Sequence, residues 1–289
     1  MGEILNHISI FIRFTIKPMN VVRVLGTFFW LLVVGQLTGC ASPSQRLDDR
    51  AADLGYRRVV VRGDGFSHVA YIKNGRATPN SALHVYLEGD GTPWVSKRVA
   101  AADPTPRTPL MLELMLLDPA PSLYLGRPCY HGLNKAKTCT PDMWTDKRYS
   151  EAVVASMSAA LDRLSVDYQA LVLLGYSGGG TLAMLLAERQ PKTETVITVA
   201  ANLDTDRWAA LHKQQPLTGS LNPAKRPPLT ERIRQMHFAG AEDDNVPPML
   251  VRVAIAQQQG ATFKVFPKQD HSCCWRDVWK EILGGLAAD

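Results

Sequence analysis

The fold of this chain is decided by residues 171–186, which read L-V-L-L-G-Y-S-G-G-G-T-L-A-M-L-L. Residues 170–174 form a continuous apolar run, which is typical of a strand buried on both faces. Gly175, Ser177 and Gly179 follow in the spacing Gly-x-Ser-x-Gly, and an apolar helical stretch comes next. Glycine has no Cβ atom, so these glycines allow the strand and the helix to approach closely around a sharp turn. The stretch predicts a strand, a tight turn carrying Ser177, and a helix.

The rest of the chain alternates short apolar runs with helical patterns, which predicts a mostly parallel central sheet with helices on both faces. A proline-rich, polar segment at residues 202–234 interrupts this alternation. It is too long for an ordinary connection, so it is either a small cap or lid beside the site or a solvated loop. The predicted strands are 58–62, 68–73, 83–87, 122–125, 170–174, 195–199, 235–238 and 262–266, and the predicted helices lie near 111–117, 150–164, 249–258 and 275–286.

The strand, Gly-x-Ser-x-Gly turn and helix together resemble the nucleophile elbow of the α/β-hydrolase superfamily. The resemblance covers about residues 56–289, which we take as one catalytic domain. It implies that Ser177 attacks the substrate, that an acyl-enzyme forms, and that the acid and then the histidine follow the serine along the chain. A narrower resemblance, to uncharacterised exported lipoprotein hydrolases, is carried by residues 125–129 (L-G-R-P-C) and 144–150 (W-T-D-K-R-Y-S).

His271 is the predicted general base. A serine hydroxyl is a weak nucleophile near neutral pH, so a neighbouring base must take its proton. His271 alone among the histidines lies beyond the last predicted strand, on the loop before the final helix. His84 and His237 lie inside predicted strands and are expected to be structural.

The triad acid is expected after the strand 235–238. Residues 240–247 (G-A-E-D-D-N-V-P) resemble the G-x-x-D-x-x-V-P turn of α/β-hydrolases, which assigns the acid to Asp243. Glu242 and Asp244 are rivals, because a slip of one residue would exchange them. Asp270 is a weaker candidate, because neighbouring side chains on a loop usually diverge.

Two backbone amides are expected to form the oxyanion hole. The amide of Gly178 stands at the start of the predicted helix, where the helix dipole favours negative charge. The second donor is expected from residues 87–94, which resemble the His-Gly-Gly type of loop with Glu88 in place of the histidine. We assign the amide of Asp90, with Gly91 as the alternative; the same residues would also form a tight turn without catalysis.

The N-terminus resembles a bacterial lipoprotein signal. An apolar stretch at residues 24–34 is too short to span a bilayer of ~30 Å as a helix, which indicates an export signal at residues 1–39. Residues 37–40 (L-T-G-C) resemble a lipobox, which implies that Cys40 is lipidated. Residues 40–55 are then a lipidated start and a polar tether. A cleaved signal with an incidental cysteine is the alternative.

Two further expectations concern this terminus. Translation from Met19 would give a signal of ordinary length, so we hypothesise that it begins there. Ala41 and Ser42 lack the acidic residue that retains lipoproteins in the inner membrane. By resemblance, this favours the periplasmic face of the outer membrane.

Four cysteines remain after Cys40. In an exported chain an even number indicates disulfides, and Cys129–Cys139 is the favoured pair because it closes a short polar loop. Cys273 and Cys274 are adjacent, and are either a labile pair or one buried and one free thiol. A zinc site is the competing interpretation, but no C-x-x-C spacing supports it. We expect no metal and no organic cofactor.

Charge and mechanism limit the partners. The formal net charge is +5, of which the signal carries +2, and no long basic run favours nucleic acid. The expected substrate is a small-molecule or lipid-like carboxylic ester, and the lipid on Cys40 is the expected membrane contact. An acyltransferase or a peptidase could use the same triad, and a non-catalytic binding lipoprotein is the alternative from another class.

Overall fold

A mostly parallel sheet organises the domain, as the sequence predicts. The computed structural model describes residues 41–73, 81–96 and 98–287, so the predicted signal and Cys40 lie outside the described residues. Within the described part, an eight-stranded sheet has the order β1-β2-β6-β3-β7-β8-β9-β10, and β4 and β5 form a separate hairpin. The strands are β1 Tyr56–Arg62, β2 Ser67–Lys73, β3 Ala82–Leu87, β4 Trp94–Ser96, β5 Val99–Ala100, β6 Ser122–Leu125, β7 Ala170–Tyr176, β8 Thr193–Val199, β9 Arg234–Gly240 and β10 Thr262–Phe266.

The direction of the strands places the functional loops on one edge of the sheet. Strand β2 pairs antiparallel with β1 and β6. All pairings from β6 through β3, β7, β8 and β9 to β10 are parallel. The carboxyl ends of β3, β7, β9 and β10 therefore share an edge, which is where open α/β sheets bind their ligands.

Helices cover both faces of the sheet. The helices are α1 Pro43–Asp53, α2 Leu110–Met115, α3 Glu151–Leu164, α4 Gly178–Ala187, α5 Thr205–Leu211, α6 Pro248–Ala254 and α7 Trp275–Gly284. Alternate residues of β7 point to opposite sides: Leu171 and Leu173 join the core cluster of α3 and α4, while Val172 and Leu174 join that of α1, α2 and α7. This alternation explains why β7 is an unbroken apolar run.

Residues 41–55 differ from the expected polar tether. Residues 43–53 form helix α1, capped by the Ser42 side chain, which accepts a hydrogen bond from the Gln45 amide. Leu47 and Ala51 stand four residues apart, so they share one helical face, and both are buried in the core cluster of α2 and α7. The apolar face is only two side chains long, too short to stand out in a polar segment.

The remaining predictions concern the cysteines and the segment 202–234. Disulfides join Cys129 to Cys139 and Cys273 to Cys274. Segment 202–234 holds α5 and a short 3₁₀ turn at Pro223–Lys225. Among the residues described, no helix has both the length and the apolar character needed to cross a bilayer.

Candidate active site

Ser177 lies at a strained turn between β7 and α4. Its φ is 51° and its ψ is −122°, a conformation that non-glycine residues rarely adopt. A Cβ atom on Gly175 would lie 2.3 Å from the Gly179 carbonyl oxygen, and one on Gly179 would lie 2.1 Å from that of Leu87. Only glycine fits at either position, so the two glycines make the close approach around Ser177 possible.

The hydroxyl of Ser177 meets the imidazole of His271, although the two residues are 94 positions apart. Ser177 Oγ lies 3.1 Å from His271 Nε2. On the other side of the ring, His271 Nδ1 lies 2.9 Å from Asp243 Oδ2. In this arrangement the serine hydroxyl can donate to Nε2, and Nδ1–H can donate to the carboxylate. A nucleophile, its base and an orienting acid require this order of donors and acceptors.

Two backbone amides hold Asp243 in place independently of its contact with the histidine. Its side chain is fully buried, and its Oδ1 accepts hydrogen bonds from the amides of Asn245 at 2.9 Å and Val246 at 2.7 Å. The free Oδ2 is thereby aimed at His271, whose ring is further held by the Tyr176 ring with centroids 5.2 Å apart.

The rival acids lie elsewhere. Glu242 and Asp244 are both exposed. The Asp270 carboxylate turns back to its own loop, where it accepts the amide of Ser272 at 2.7 Å and that of Cys273. Asp243 is therefore the carboxylate that the structure brings to His271.

The two strand histidines have structural partners. His84 bonds to the Asp118 carboxylate at 2.6 Å, and His237 bonds to the Thr198 hydroxyl at 2.8 Å. Neither lines the cleft that contains Ser177.

Glu88, which stands where a His-Gly-Gly loop has its histidine, bonds to backbone amides. Its carboxylate accepts the amides of Gly89 at 3.0 Å and of Met111 at 2.9 Å, so it ties the loop after β3 to the start of α2. Burial raises the pKa of Glu88 to about 7. Glu88 does not line the cleft that contains Ser177.

Asp90 lies beside the elbow, with its carboxylate held by two buried arginines. Its oxygens lie 2.8 Å from Arg127 Nη1 and 2.7 Å from Arg148 Nη1, and the Tyr149 hydroxyl donates to both oxygens. Burial alone would raise the pKa of Asp90, but Arg127 and Arg148 hold it well below its usual range. A Cβ on Gly178 would lie 2.0 Å from Asp90 Oδ1, so the carboxylate packs directly on the start of α4.

The same cluster also holds the backbone of the loop. Arg127 Nη2 donates to the Glu88 carbonyl at 3.1 Å, and the Tyr130 hydroxyl donates to the Asp90 carbonyl at 3.0 Å. With both carbonyls fixed, the peptide planes between them have little freedom. This supports Asp90 as an amide donor, while the donor roles of Asp90, Gly91 and Gly178 stay predictions.

Sequence reasoning missed the convergence of this cluster. Arg127 belongs to the motif at 125–129, whereas Arg148 and Tyr149 belong to the motif at 144–150, and both motifs meet on Asp90. The two motifs were the available signal, but they carry no periodicity that would reveal a shared partner.

A cleft of ≈ 340 Å³ opens above Ser177 and His271. Trp94 and Trp208 provide aromatic walls, and Asp90, Gly91 and Arg148 also line it. Residues 202–214 therefore lie beside the site. The indole Nε1 of Trp208 donates to Asn245 Oδ1 at 3.2 Å, which links α5 to the turn that carries Asp243.

No group of three or more potential metal ligands occurs among the side chains described in residues 41–73, 81–96 and 98–287.

Comparison with known proteins gives structural relatives only. No family model matches the sequence, and no curated protein matches it. The structure is similar to a bacterial membrane phospholipase A (TM-score 0.58, 14% identity, covering 93% of this chain and 100% of that one). It is also similar to an esterase of Pyrococcus furiosus (TM-score 0.55, 13% identity, covering 81% of this chain and 92% of that one). A third similar structure is an acylaminoacyl peptidase of Pyrococcus horikoshii (TM-score 0.54, 10% identity, covering 80% of this chain and 41% of that one). Together with the parallel sheet and the elbow at Ser177, these similarities show that the chain has the α/β-hydrolase fold.

Proposed function

We propose that this protein is a serine hydrolase that cleaves carboxylic esters through Ser177, His271 and Asp243. The observation that carries the proposal is the continuous hydrogen-bonded line from Ser177 Oγ to His271 Nε2 and from His271 Nδ1 to Asp243 Oδ2. The strained turn adds to it, because backbone strain of this kind is retained where a function requires it.

In the proposed reaction, His271 Nε2 takes the Ser177 proton while Oγ attacks the ester carbonyl carbon. Asp243 stabilises the imidazolium that forms. The amides of Gly178 and Asp90 stabilise the oxyanion, and collapse of the tetrahedral intermediate expels the alcohol, which takes the proton from Nε2. Water then attacks the acyl-enzyme with His271 as base again, and releases the acid and free Ser177.

An ester is the preferred substrate because an alcohol leaves a tetrahedral intermediate more readily than the amine of an amide does. Two of the similar structures are an esterase and a phospholipase A, and the apolar walls Trp94 and Trp208 suit an acyl chain. The similarity to an acylaminoacyl peptidase makes amide cleavage the second candidate. An acyltransferase differs only in the acceptor that replaces water.

We further propose that the protein is an exported lipoprotein, anchored through a lipid on Cys40 at the periplasmic face of the outer membrane. The support is the sequence around Cys40 and the disulfides at Cys129–Cys139 and Cys273–Cys274, which are typical of an oxidising compartment. Helix α1 starts at Pro43, three residues after Cys40. A chain of that length spans only about 10 Å, so a lipid on Cys40 would keep the domain close to the bilayer.

A fluorophosphonate probe and a set of esters test the enzyme proposal together. We expect the folded protein to be labelled and to hydrolyse para-nitrophenyl esters, and we expect Ser177→Ala to abolish both. Ser67→Ala, an exposed serine at the start of β2 that does not line the cleft, is the matched control. An unlabelled, inactive wild type would favour a binding lipoprotein. Turnover only with an added alcohol or amine would show a transferase, and faster cleavage of matched anilides would show a peptidase.

A further inference from the structure

A second cavity, of ≈ 460 Å³, lies next to the catalytic cleft. Tyr176 lines both cavities, and Ser272, the neighbour of the proposed base in sequence, lines the second. The other walls come from α1 and from residues 107–113. A molecule bound here would therefore reach toward the reacting serine past the Tyr176 ring.

Three arginines surround this cavity: Arg46, Arg50 and Arg107. Arg50 is neutralised by Glu113, with its Nη2 2.8 Å from Glu113 Oε2. Arg46 and Arg107 are exposed, and neither guanidinium forms a hydrogen bond or an ion pair with the part of the chain that the structure describes. The cavity therefore has a net charge of about +2 from these two side chains.

None of the carboxylates near α1 forms an ion pair with Arg46 or Arg107 among the described residues. Within α1, Asp48 pairs with Arg58 at 2.9 Å and Asp49 accepts from the Gln45 amide group at 2.8 Å. Asp103 accepts from the Ser44 hydroxyl at 2.6 Å. Among the described residues that line the cavity, Glu113 supplies the one carboxylate, and it is paired with Arg50.

The two sides of the cavity are joined by the Arg50–Glu113 pair and by contacts of Ser44, so its shape does not depend on Arg46 or Arg107. Besides its bond to Asp103, the Ser44 hydroxyl lies 3.0 Å from the Thr105 hydroxyl. Thr105 Oγ1 in turn accepts the buried amide of His131 at 2.8 Å. Leu47 and Leu110 give the same cavity an apolar lining.

We propose that this cavity binds an anionic group of the substrate, a carboxylate or a phosphate, while the ester bond lies at Ser177. Guanidinium groups match the geometry of both anions, and the apolar wall of Leu47 and Leu110 suits the carbon chain that separates the anion from the ester. The inference rests on the proposed function and narrows it to esters that carry a negative charge at one end.

Two pairs of substrates, each matched except for charge, test the proposal. They also distinguish a lipid headgroup phosphate from a free carboxylate as the anion that binds. The soluble pair is the mono-para-nitrophenyl ester of adipic acid and para-nitrophenyl heptanoate. The lipid pair is octanoyl lysophosphatidate and monooctanoylglycerol, with released octanoate measured by mass spectrometry. For each pair the readout is kcat/KM for the anionic ester divided by kcat/KM for the neutral one.

We expect Arg46→Gln and Arg107→Gln each to lower this ratio about fivefold, mainly through KM, because a partly exposed charge-assisted contact is worth about 1 kcal/mol. The matched control is Arg163→Gln, an exposed arginine in the last turn of α3 that lines neither cavity. It should leave the ratio unchanged. A loss confined to the lipid pair identifies a headgroup phosphate, and a loss confined to the soluble pair identifies a free carboxylate.

The subsite is refuted if the Arg46→Gln/Arg107→Gln double variant keeps the wild-type ratio for both pairs while Ser177-dependent hydrolysis continues. The proposed function fails separately, and the subsite with it, if Ser177→Ala hydrolyses the neutral esters as fast as wild type.

Discussion

Replacing Asp90 by asparagine would test whether the cluster around Asp90 holds the loop that faces Ser177. The Arg127 and Arg148 side chains are 5% and 6% exposed, and both contact the Asp90 carboxylate within 2.8 Å. Asparagine keeps the shape of the side chain but removes the charge. Two buried guanidinium groups would then lack their counter-ion.

Removing one partner of a buried ion pair typically costs about 3–5 kcal/mol, and we expect a loss of that size in the free energy of unfolding. The matched control is Asp142→Asn. Asp142 pairs with Lys147 at 2.6 Å, but these side chains are 37% and 50% exposed. Exposed pairs contribute below about 1 kcal/mol, so the control should unfold in urea nearly as the wild type does.

Asp90→Asn should also lower kcat for a para-nitrophenyl ester by about 100-fold, the typical effect of losing an oxyanion donor. The reason is that the carboxylate, the Arg127 contact to the Glu88 carbonyl and the Tyr130 contact to the Asp90 carbonyl fix the loop together. Tyr130→Phe removes one of these contacts without changing a charge. It should lower kcat less and cost about 1 kcal/mol of stability.

The pH dependence of stability gives an independent check. The pKa of folded Asp90 lies below that of the unfolded chain, so its stabilisation is complete above the unfolded pKa and is lost as the pH falls through the folded value. The difference between wild type and Asp90→Asn should therefore be constant from about pH 7 to pH 5 and shrink below about pH 4. A kcat within threefold of wild type, together with the expected loss of stability, would refute the positioning role. A loss below about 1 kcal/mol would refute the buried-pair reasoning itself.

Three further substitutions test the acid, the disulfide and the anchor. Asp243→Asn should lower kcat by about 10³–10⁴-fold, because His271 loses its orienting carboxylate; exposed Asp244→Asn should not, and equal effects would contradict the assignment. Replacing both Cys129 and Cys139 by serine should lower the free energy of unfolding in urea by about 2–3 kcal/mol, because the bond closes a loop with a sequence separation of 10; an unchanged midpoint would contradict this. Cys40→Ser should move the protein from the membrane to the soluble fraction of the cell envelope, whereas unchanged fractionation would exclude a lipid on Cys40.

The part of the fold that follows the sequence most closely is the sheet. Strand β7 is buried on both faces, which explains its unbroken apolar run, and the Gly-x-Ser-x-Gly turn that follows distinguishes this run from a buried helix. The residues of the proposed triad could also be predicted from the sequence, because the loops that follow parallel strands lie at one edge of the sheet. The resemblance of residues 240–247 assigned the acid to Asp243, and the structure separates it from Glu242 and Asp244 by its burial and its bonds to the amides of Asn245 and Val246.

The features that sequence reasoning missed depend on contacts between distant segments. Helix α1 was expected to be a tether, because its apolar face consists of little more than Leu47 and Ala51. Arg127 and Arg148 are 21 positions apart in sequence, and nothing in either motif shows that both contact Asp90. A resemblance can mark such residues, but only their shared partner explains them.

Helix α1 joins two proposals that were reached from separate observations. It begins three residues after the proposed lipidation site, and it supplies Arg46 to the cavity proposed to bind an anion. A bilayer close to this helix would present anionic groups to the side of the protein where Arg46 and Arg107 have no ion-pair partner among the described residues. Anchoring and substrate selection would then act through one segment, so an anchored enzyme should prefer anionic esters in its own membrane over the same esters in solution. The selectivity ratio of the anchored protein, measured beside that of the Cys40→Ser variant, decides whether this coupling exists.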